Sequence, residues 1–201
     1  MATPLGHYLV GLSITQGLAR DSAERKQGLW LAVIACAPDL DVIPGFFVGR
    51  LGQFHHGISH SFAAAAIFSI FAWLFFSRRA RVISLSLSIL LFLLYASHVV
   101  LDFVTLDTGA PYGVPLFWPW SHDSYQSSWL LLPNVQHTRA PLFGAHNLLL
   151  LVQESLVFLP LVGFVHALKD FHSPWPRARA CFYGGWFVVA VWASVFSLQT
   201  R

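Results

Sequence analysis

The chain has 201 residues, 56% of them hydrophobic and only 10% charged, against roughly 25% charged in a soluble domain, and its mean hydropathy is +0.60. A soluble fold of this length could not hide so much apolar surface, so the expectation is one all-α, polytopic membrane domain spanning residues 1–201. The 12 Lys+Arg and 9 Asp+Glu are too few and too scattered for a nucleic-acid surface.

Met1-Ala2-Thr3-Pro4 lacks the basic stretch of a cleavable signal peptide. Thr3 and Pro4 instead read as N-cap and first residue of a helix over about 4–19, too short for a full span. A charged connector follows at 20–26, then a second short apolar helix over about 27–37 that Pro38 is expected to stop, delivering Asp39-Leu40-Asp41. Pro44, Gly45, Gly49 and Gly52 mark 42–54 as a loop. Two cysteines, Cys36 and Cys181, lie in apolar runs and fit neither a zinc knuckle nor a disulfide framework. Residues 61–77, 82–104, 147–168 and 180–198 form four spans of 17 to 23 residues, close to the roughly 20 that a bilayer core requires. The stretch 105–146 is too rich in Pro, Gly and Trp to be one helix.

If these six helices alternate in direction, the connectors at 20–27, 78–81 and 169–179 share one side. They carry Arg20, Arg25, Lys26, Arg78, Arg79, Arg81, Lys169, Arg177 and Arg179, leaving only Arg50, Arg139 and Arg201 opposite. The positive-inside rule makes the first side cytoplasmic. His7, Asp39, Asp41, His55, His56, His60, His98, Asp102, Asp107, His122, Asp123, His137 and His146 then all fall outside, and only His166 and His172 inside. Basic residues alone set the orientation, so this gathering of His and Asp is an independent signal.

Its densest part is Phe54-His55-His56-Gly57-Ile58-Ser59-His60-Ser61. On a helix His56 and His60, four apart, would share a face and present two nitrogen ligands to a divalent metal; otherwise the segment is a solvated polar cap. His98 and Asp102 repeat the spacing inside an apolar span, where ionisable groups are costly and face a partner or a cavity. Asp102 either ligates or orients His98. Asp39 and Asp41 either bridge two metals, or divide into a ligand and a base, or form a plain solvated turn. His7 gains meaning only from lying on the same side. Glu154 lies about 10 Å below the outer end of the third span, at 1.5 Å per residue. It is either a further ligand or proton carrier, or a hydrogen-bonded group with Gln16 or Tyr95 as partner. His166 and Asp170 share the i,i+4 spacing at the cytoplasmic end and read as structural. Tyr112, Trp118, Trp120 and Trp129 fit an interfacial aromatic belt, or the wall of a lipid-facing pocket.

Taken in order, His7, Pro38-Asp39-Leu40-Asp41, His55-His56-Gly57-Ile58-Ser59-His60-Ser61, His98…Asp102 and Pro111-Tyr112-Gly113-Val114…Trp118-Pro119 resemble the YdjM-like family of membrane-bound, predicted metal-dependent hydrolases of the bacterial inner membrane. The resemblance covers about residues 4–125, and the last third of the chain carries little of it. The family's arginine falls at His56, so the resemblance implies His55 and His60 as ligands, with His56 as a neighbouring or substrate contact. The family is similar, more distantly, to zinc-dependent phospholipase C and P1-type nucleases.

The resulting expectation is a site of His7, Asp39, Asp41, His55, His60, His98 and Asp102 on the outer face. It holds a divalent metal, zinc ahead of manganese, with Asp39 or Asp41 as base. His56, Glu154, Tyr112 and Trp118 stand around it. The substrate expected at headgroup level is a lipid or lipid-linked phosphoester. The rival is a non-catalytic metal-binding protein or an ion transporter. A transporter would need polar groups continuing inward, and below His98 the helix offers only Ser84, Ser86 and Ser88.

Overall fold

A computed structural model describes residues 1–49, 54–80, 85–109, 112–136, 144–170 and 175–199. Arg50, Arg81, Ser84, Pro111, His137, Arg139, His172 and Arg201, which enter the sequence arguments, lie outside the described residues. Within them the architecture is all-α, with two isolated bridges, Thr105–Leu132 and Val114–Tyr125, in the long loop.

Helix α1 (Pro4–Leu18) starts as its sequence dictates: the Thr3 side chain accepts from Leu5 N–H, and Pro4 occupies the first turn, where an N–H is not needed. Helix α2 (Ser22–Leu31) begins inside the expected connector, because the Asp21 side chain caps Glu24 N–H at 2.8 Å while Glu24 reaches back to Arg20 N–H. The second helix then departs from expectation. The chain does not stop at Pro38 but tightens into a 3-10 segment (Ala32–Asp41) and continues as α3 (Val42–Phe47). In a 3-10 register Pro38 leaves the Ala35 carbonyl without its i+3 donor. The His98 ring nitrogen Nδ1 supplies one at 2.7 Å. A cross-helix bond thus replaces the one that proline removes, and the helical run survives.

Helices α4 (Phe62–Ala80) and α5 (Leu85–Phe103) pack together, as do α6 (Ala145–Lys169) and α7 (Pro176–Gln199). Among the described residues, four helical runs are long and apolar enough to cross a bilayer: Ser22–Phe47, Ser86–Phe103, Ala145–Lys169 and Pro176–Gln199. The continuous run through Pro38 therefore joins the spans. Helix α4 has 19 residues, Phe62–Ala80, over the span expected there.

Lipid tails are as apolar as leucine, so helix association rests on close packing rather than on hydrophobic burial. Helix α1 lies against the 3-10 segment through Gly11, where an added Cβ would stand 2.8 Å from Ala35 Cβ and 2.9 Å from the Ala32 carbonyl oxygen. That approach sets the site, because His7 is one helical turn before Gly11 and Asp39 is four residues beyond Ala35. Gly11→Ala is expected to destabilise the protein by about 1–3 kcal/mol through overpacking, read as a lowered thermal midpoint in detergent. Two apolar clusters flank the site: Leu9, Leu101, Leu132, Leu150 and Phe158 on one side, Ala65, Tyr95, Val99, Val114 and Leu116 on the other.

The far end of the bundle is basic. Lys169 Nζ donates to the Ala19 carbonyl and Arg25 to the Lys169 carbonyl, each at 3.2 Å, which joins two of the basic connectors. Asp170 is bound to Arg179 at 3.1 Å, across the α6–α7 turn.

Candidate metal centre

Four chain segments bring ionisable side chains to one place: the first turns of α1 (His7), the 3-10 segment (Asp39, Asp41), the turn before α4 (His55, His56, His60) and the last turns of α5 (His98, Asp102). His7, His60, His98 and Asp102 have fully buried side chains, while Asp39, Asp41 and His56 keep a slight opening to the surface.

Hydrogen bonds around the rim decide how the imidazoles face the centre. His98 Nδ1–H donates to the Ala35 carbonyl, His55 Nδ1–H to Asp41 Oδ1 at 2.8 Å, and His56 Nδ1–H to Asp107 Oδ2 at 3.1 Å. Ser59 Oγ–H is given to Asp41 Oδ2 at 2.7 Å, so at 3.1 Å from His60 Nδ1 that hydroxyl can only accept. In their neutral form all four rings therefore carry the proton on Nδ1 and turn Nε2 inward. This is the arrangement found around metals, where an oxygen that does not itself bind the ion holds the outer nitrogen.

The inward atoms have metal-ligand spacing. His98 Nε2 lies 3.1 Å from His60 Nε2, 3.1 Å from Asp102 Oδ2 and 3.4 Å from Asp39 Oδ1. His60 Nε2 lies 3.5 Å from Asp102 Oδ2 and 3.8 Å from Asp39 Oδ1. Tetrahedral zinc with bonds of about 2.0–2.2 Å requires ligand atoms about 3.3–3.6 Å apart, a range that these separations, from 3.1 to 3.8 Å, bracket. The ligand atoms of His7, Asp39, His98 and Asp102 lie within 4.8 Å of one another, as do those of His55, His56 and His60. Among the described residues, buried side-chain atoms without a hydrogen-bond partner include both nitrogens of His7, both oxygens of Asp39, His56 Nε2 and Asp102 Oδ2. Every one of these belongs to this cluster, where a cation would satisfy them.

The electrostatics run the same way. Burial works against a charged His60, yet Asp39 and Asp41 outweigh it and push its pKa up. His56 is pushed down, chiefly by burial, with the Asp107 bond only partly offsetting it. Burial raises Asp107, but His56 and the amides of Gly109 and Gly113 hold it down at about 2. Asp107 thus stays an anion that accepts from a neutral His56.

The expected pairing of His98 with Asp102 on one helix face is present. The expected helical pairing of His56 with His60 is not. His56 sits in a turn with φ of 61°, and only Ile58–His60 is helical, as a single 3-10 turn. The two rings meet because the chain reverses, at a centroid distance of 5.0 Å. The left-handed backbone is uncommon for a residue with a side chain. Asp41 does not turn to the centre: His55, Ser59 and His60 occupy its oxygens. Glu154 is also engaged elsewhere. It accepts from Thr3 N–H at 2.6 Å, from the Thr3 hydroxyl and from Gly6 N–H at 3.1 Å, not from Gln16 or Tyr95. Tyr95 donates instead to the Ser59 carbonyl, bracing the histidine turn. Tyr112 and Trp118 make no hydrogen bond to the cluster among the described residues; Tyr112, Trp120 and Trp129 stand exposed. Sequence reasoning gathered Asp107 on the outer side without giving it a role at the site, and missed the roles of Ser59, the Ala35 carbonyl and Ala2 N–H, which donates to Asp102 Oδ1 at 3.1 Å. No spacing signal marks any of them.

The model of the YdjM inner membrane protein family matches residues 1–195. The chain belongs to that family. The YdjM match runs through α6 and nearly all of α7, so the last third of the chain shares the family pattern too. With four candidate spans, this YdjM-family chain is an integral inner-membrane protein. No curated protein and no solved structure matches it.

Proposed function

We propose that this membrane protein is a metal-dependent hydrolase, with a divalent cation, zinc ahead of manganese, held by Asp39, His60, His98 and Asp102. The observation that carries the reading is the set of inward Nε2 and carboxylate atoms at tetrahedral spacing, each ring aimed by an outer oxygen. When bound, the cation supplies Lewis acidity, making water more acidic and polarising the scissile bond. The chain's own groups do the rest. Asp41 and the Ala35 carbonyl aim the imidazoles. Asp39, at the opening, has a second oxygen, Oδ2, able to hold the proton taken from the attacking water. His7 and His55 line the same space, and His56 faces the incoming substrate.

The basic end of the bundle, by the positive-inside rule, supports a cluster that opens at the outer face. Exposed apolar side chains stand near the opening, among them Phe46 and Phe47 of α3 and Ile58 of the histidine turn. They favour a substrate carried in the lipid, a phosphoester of a lipid or of a lipid-linked group. A transport path finds less support, because Ser13, Thr15, Ser69 and Ser97 are tied to backbone carbonyls.

The test is elemental mass spectrometry on detergent-purified protein, prepared without chelator and again after zinc refilling. The zinc-loaded protein is then assayed on phospholipids and phosphodiesters. Stoichiometric metal with phosphoester cleavage is expected. No metal after refilling sinks the reading, and the cluster would then be a set of helix-joining hydrogen bonds.

A further inference from the structure

We infer that Glu154 is a positioning residue for the metal centre, acting through the first six residues of the chain; the inference rests on the cluster being a metal site. Glu154 lies in a span and is fully buried, where a carboxylate is costly unless its oxygens are fully engaged. They are engaged by the start of α1: Oε1 by Thr3 N–H, and Oε2 by the Thr3 hydroxyl and Gly6 N–H. A helix N-terminus presents unsatisfied amides and a partial positive charge, so an anion suits that position. The contact is close: a Cβ on Gly6 would stand 2.9 Å from Glu154 Cδ, so the carboxylate would have to shift.

Two lines run from this grip to Asp102. Along the backbone, Thr3 is followed outward by Ala2, whose N–H donates to Asp102 Oδ1. Met1, just beyond, is pinned by Val135 N–H to its carbonyl at 3.2 Å. Along the helix, Gly6 is followed by His7, whose Nε2 lies 3.4 Å from the same oxygen and whose ring stacks on His98 at 3.6 Å. Ala2 N–H holds Oδ1, with the His7 ring beside it, and Oδ2 is left facing His60 and His98. Glu154 thereby sets which oxygen of Asp102 faces the cation, and the tilt of the His98 ring, without touching the cluster. A plain helix cap would stabilise α1 and do nothing more.

Zinc affinity by chelator competition, on the full chain in detergent, separates these roles when wild type is compared with Glu154→Gln, His7→Ala and the double variant. Glutamine keeps one acceptor oxygen and puts an amide donor against the α1 amides. Glu154→Gln is expected to weaken zinc about tenfold, the lower range for an outer-shell partner. In the His7→Ala background it should cost no more than about threefold, because the two residues act along one line. The visible spectrum of the cobalt-loaded protein should also shift in Glu154→Gln. Equal losses in both backgrounds, or unchanged affinity with only a lowered thermal midpoint, would overturn the inference and leave Glu154 as a cap. If Glu154→Gln does not fold, Thr3→Val removes the hydroxyl that donates to Glu154 and caps Leu5 N–H, keeps the Thr3 and Gly6 amides on Glu154, and carries the same cycle. Zinc bound by wild type with equal losses refutes the positioning role alone, whereas no zinc in wild type refutes the metal reading and this inference with it.

Discussion

Asp102→Asn is expected to abolish metal binding and hydrolysis while leaving the fold intact. Asp102 Oδ2 lies 3.1 Å from His98 Nε2 and 3.5 Å from His60 Nε2. With the amide nitrogen there, both imidazole lone pairs gain a hydrogen-bond donor. The space proposed for a cation then closes on its own hydrogen bonds, and one negative charge is lost. The amide oxygen still accepts from Ala2 N–H, which holds the rotamer. Zinc affinity should fall by at least about a thousandfold, or ~4 kcal/mol at 1.4 kcal/mol per tenfold, and phosphoester cleavage should drop with it. The metal-free variant should melt no lower than metal-free wild type, because a buried charge has been replaced by a neutral, bonded group. Chelator competition and thermal unfolding of the stripped proteins check both halves. Retained zinc at wild-type affinity would remove Asp102 from the ligand set.

Asp41→Asn should weaken the same site by a different route and a smaller factor. Asp41 accepts from His55 Nδ1–H and from Ser59, and lies 3.2 Å from His60 Nδ1. An asparagine oxygen can serve His55, but its amide then meets Ser59 and His60 as a donor. His60 would have to offer Nδ1 as acceptor and move its proton to Nε2, toward the centre, where a ligand lone pair is needed. An outer-shell partner of this kind is worth about 10–100-fold in metal affinity, so that loss is expected, with activity restored by raised zinc. Asp102→Asn should not be rescued in that way. Equal, unrescued losses in the two variants would make Asp41 a ligand after all.

The i,i+4 pair His98 and Asp102 was legible because an α-helix imposes one geometry on that spacing, and α5 is an α-helix. The same rule misled at His56 and His60, where the intervening Gly57 and a left-handed His56 replace the helix with a reversal of the chain. Pro38 read as a stop because proline removes an N–H. The cross-helix bond from His98 that takes over the Ala35 carbonyl is invisible until α5 is placed beside it. Glu154 was legible as a residue needing partners, but the partners are backbone amides, which every residue carries and no pattern marks.

The sequence by itself determined the medium and the chemistry. Apolar content and span length dictate a membrane bundle, the basic connectors order its two ends, and the placement of His and Asp concentrates the ionisable groups at one of them. These properties are sums or local periodicities, and they survive without knowing which helix touches which. Only the tertiary structure decided the roles: Asp39 turned inward and Asp41 outward, Asp107 behind His56, Glu154 gripping α1. Two aspartates separated by one residue are alike as letters. They differ because the donors that surround each come from segments far away in the chain.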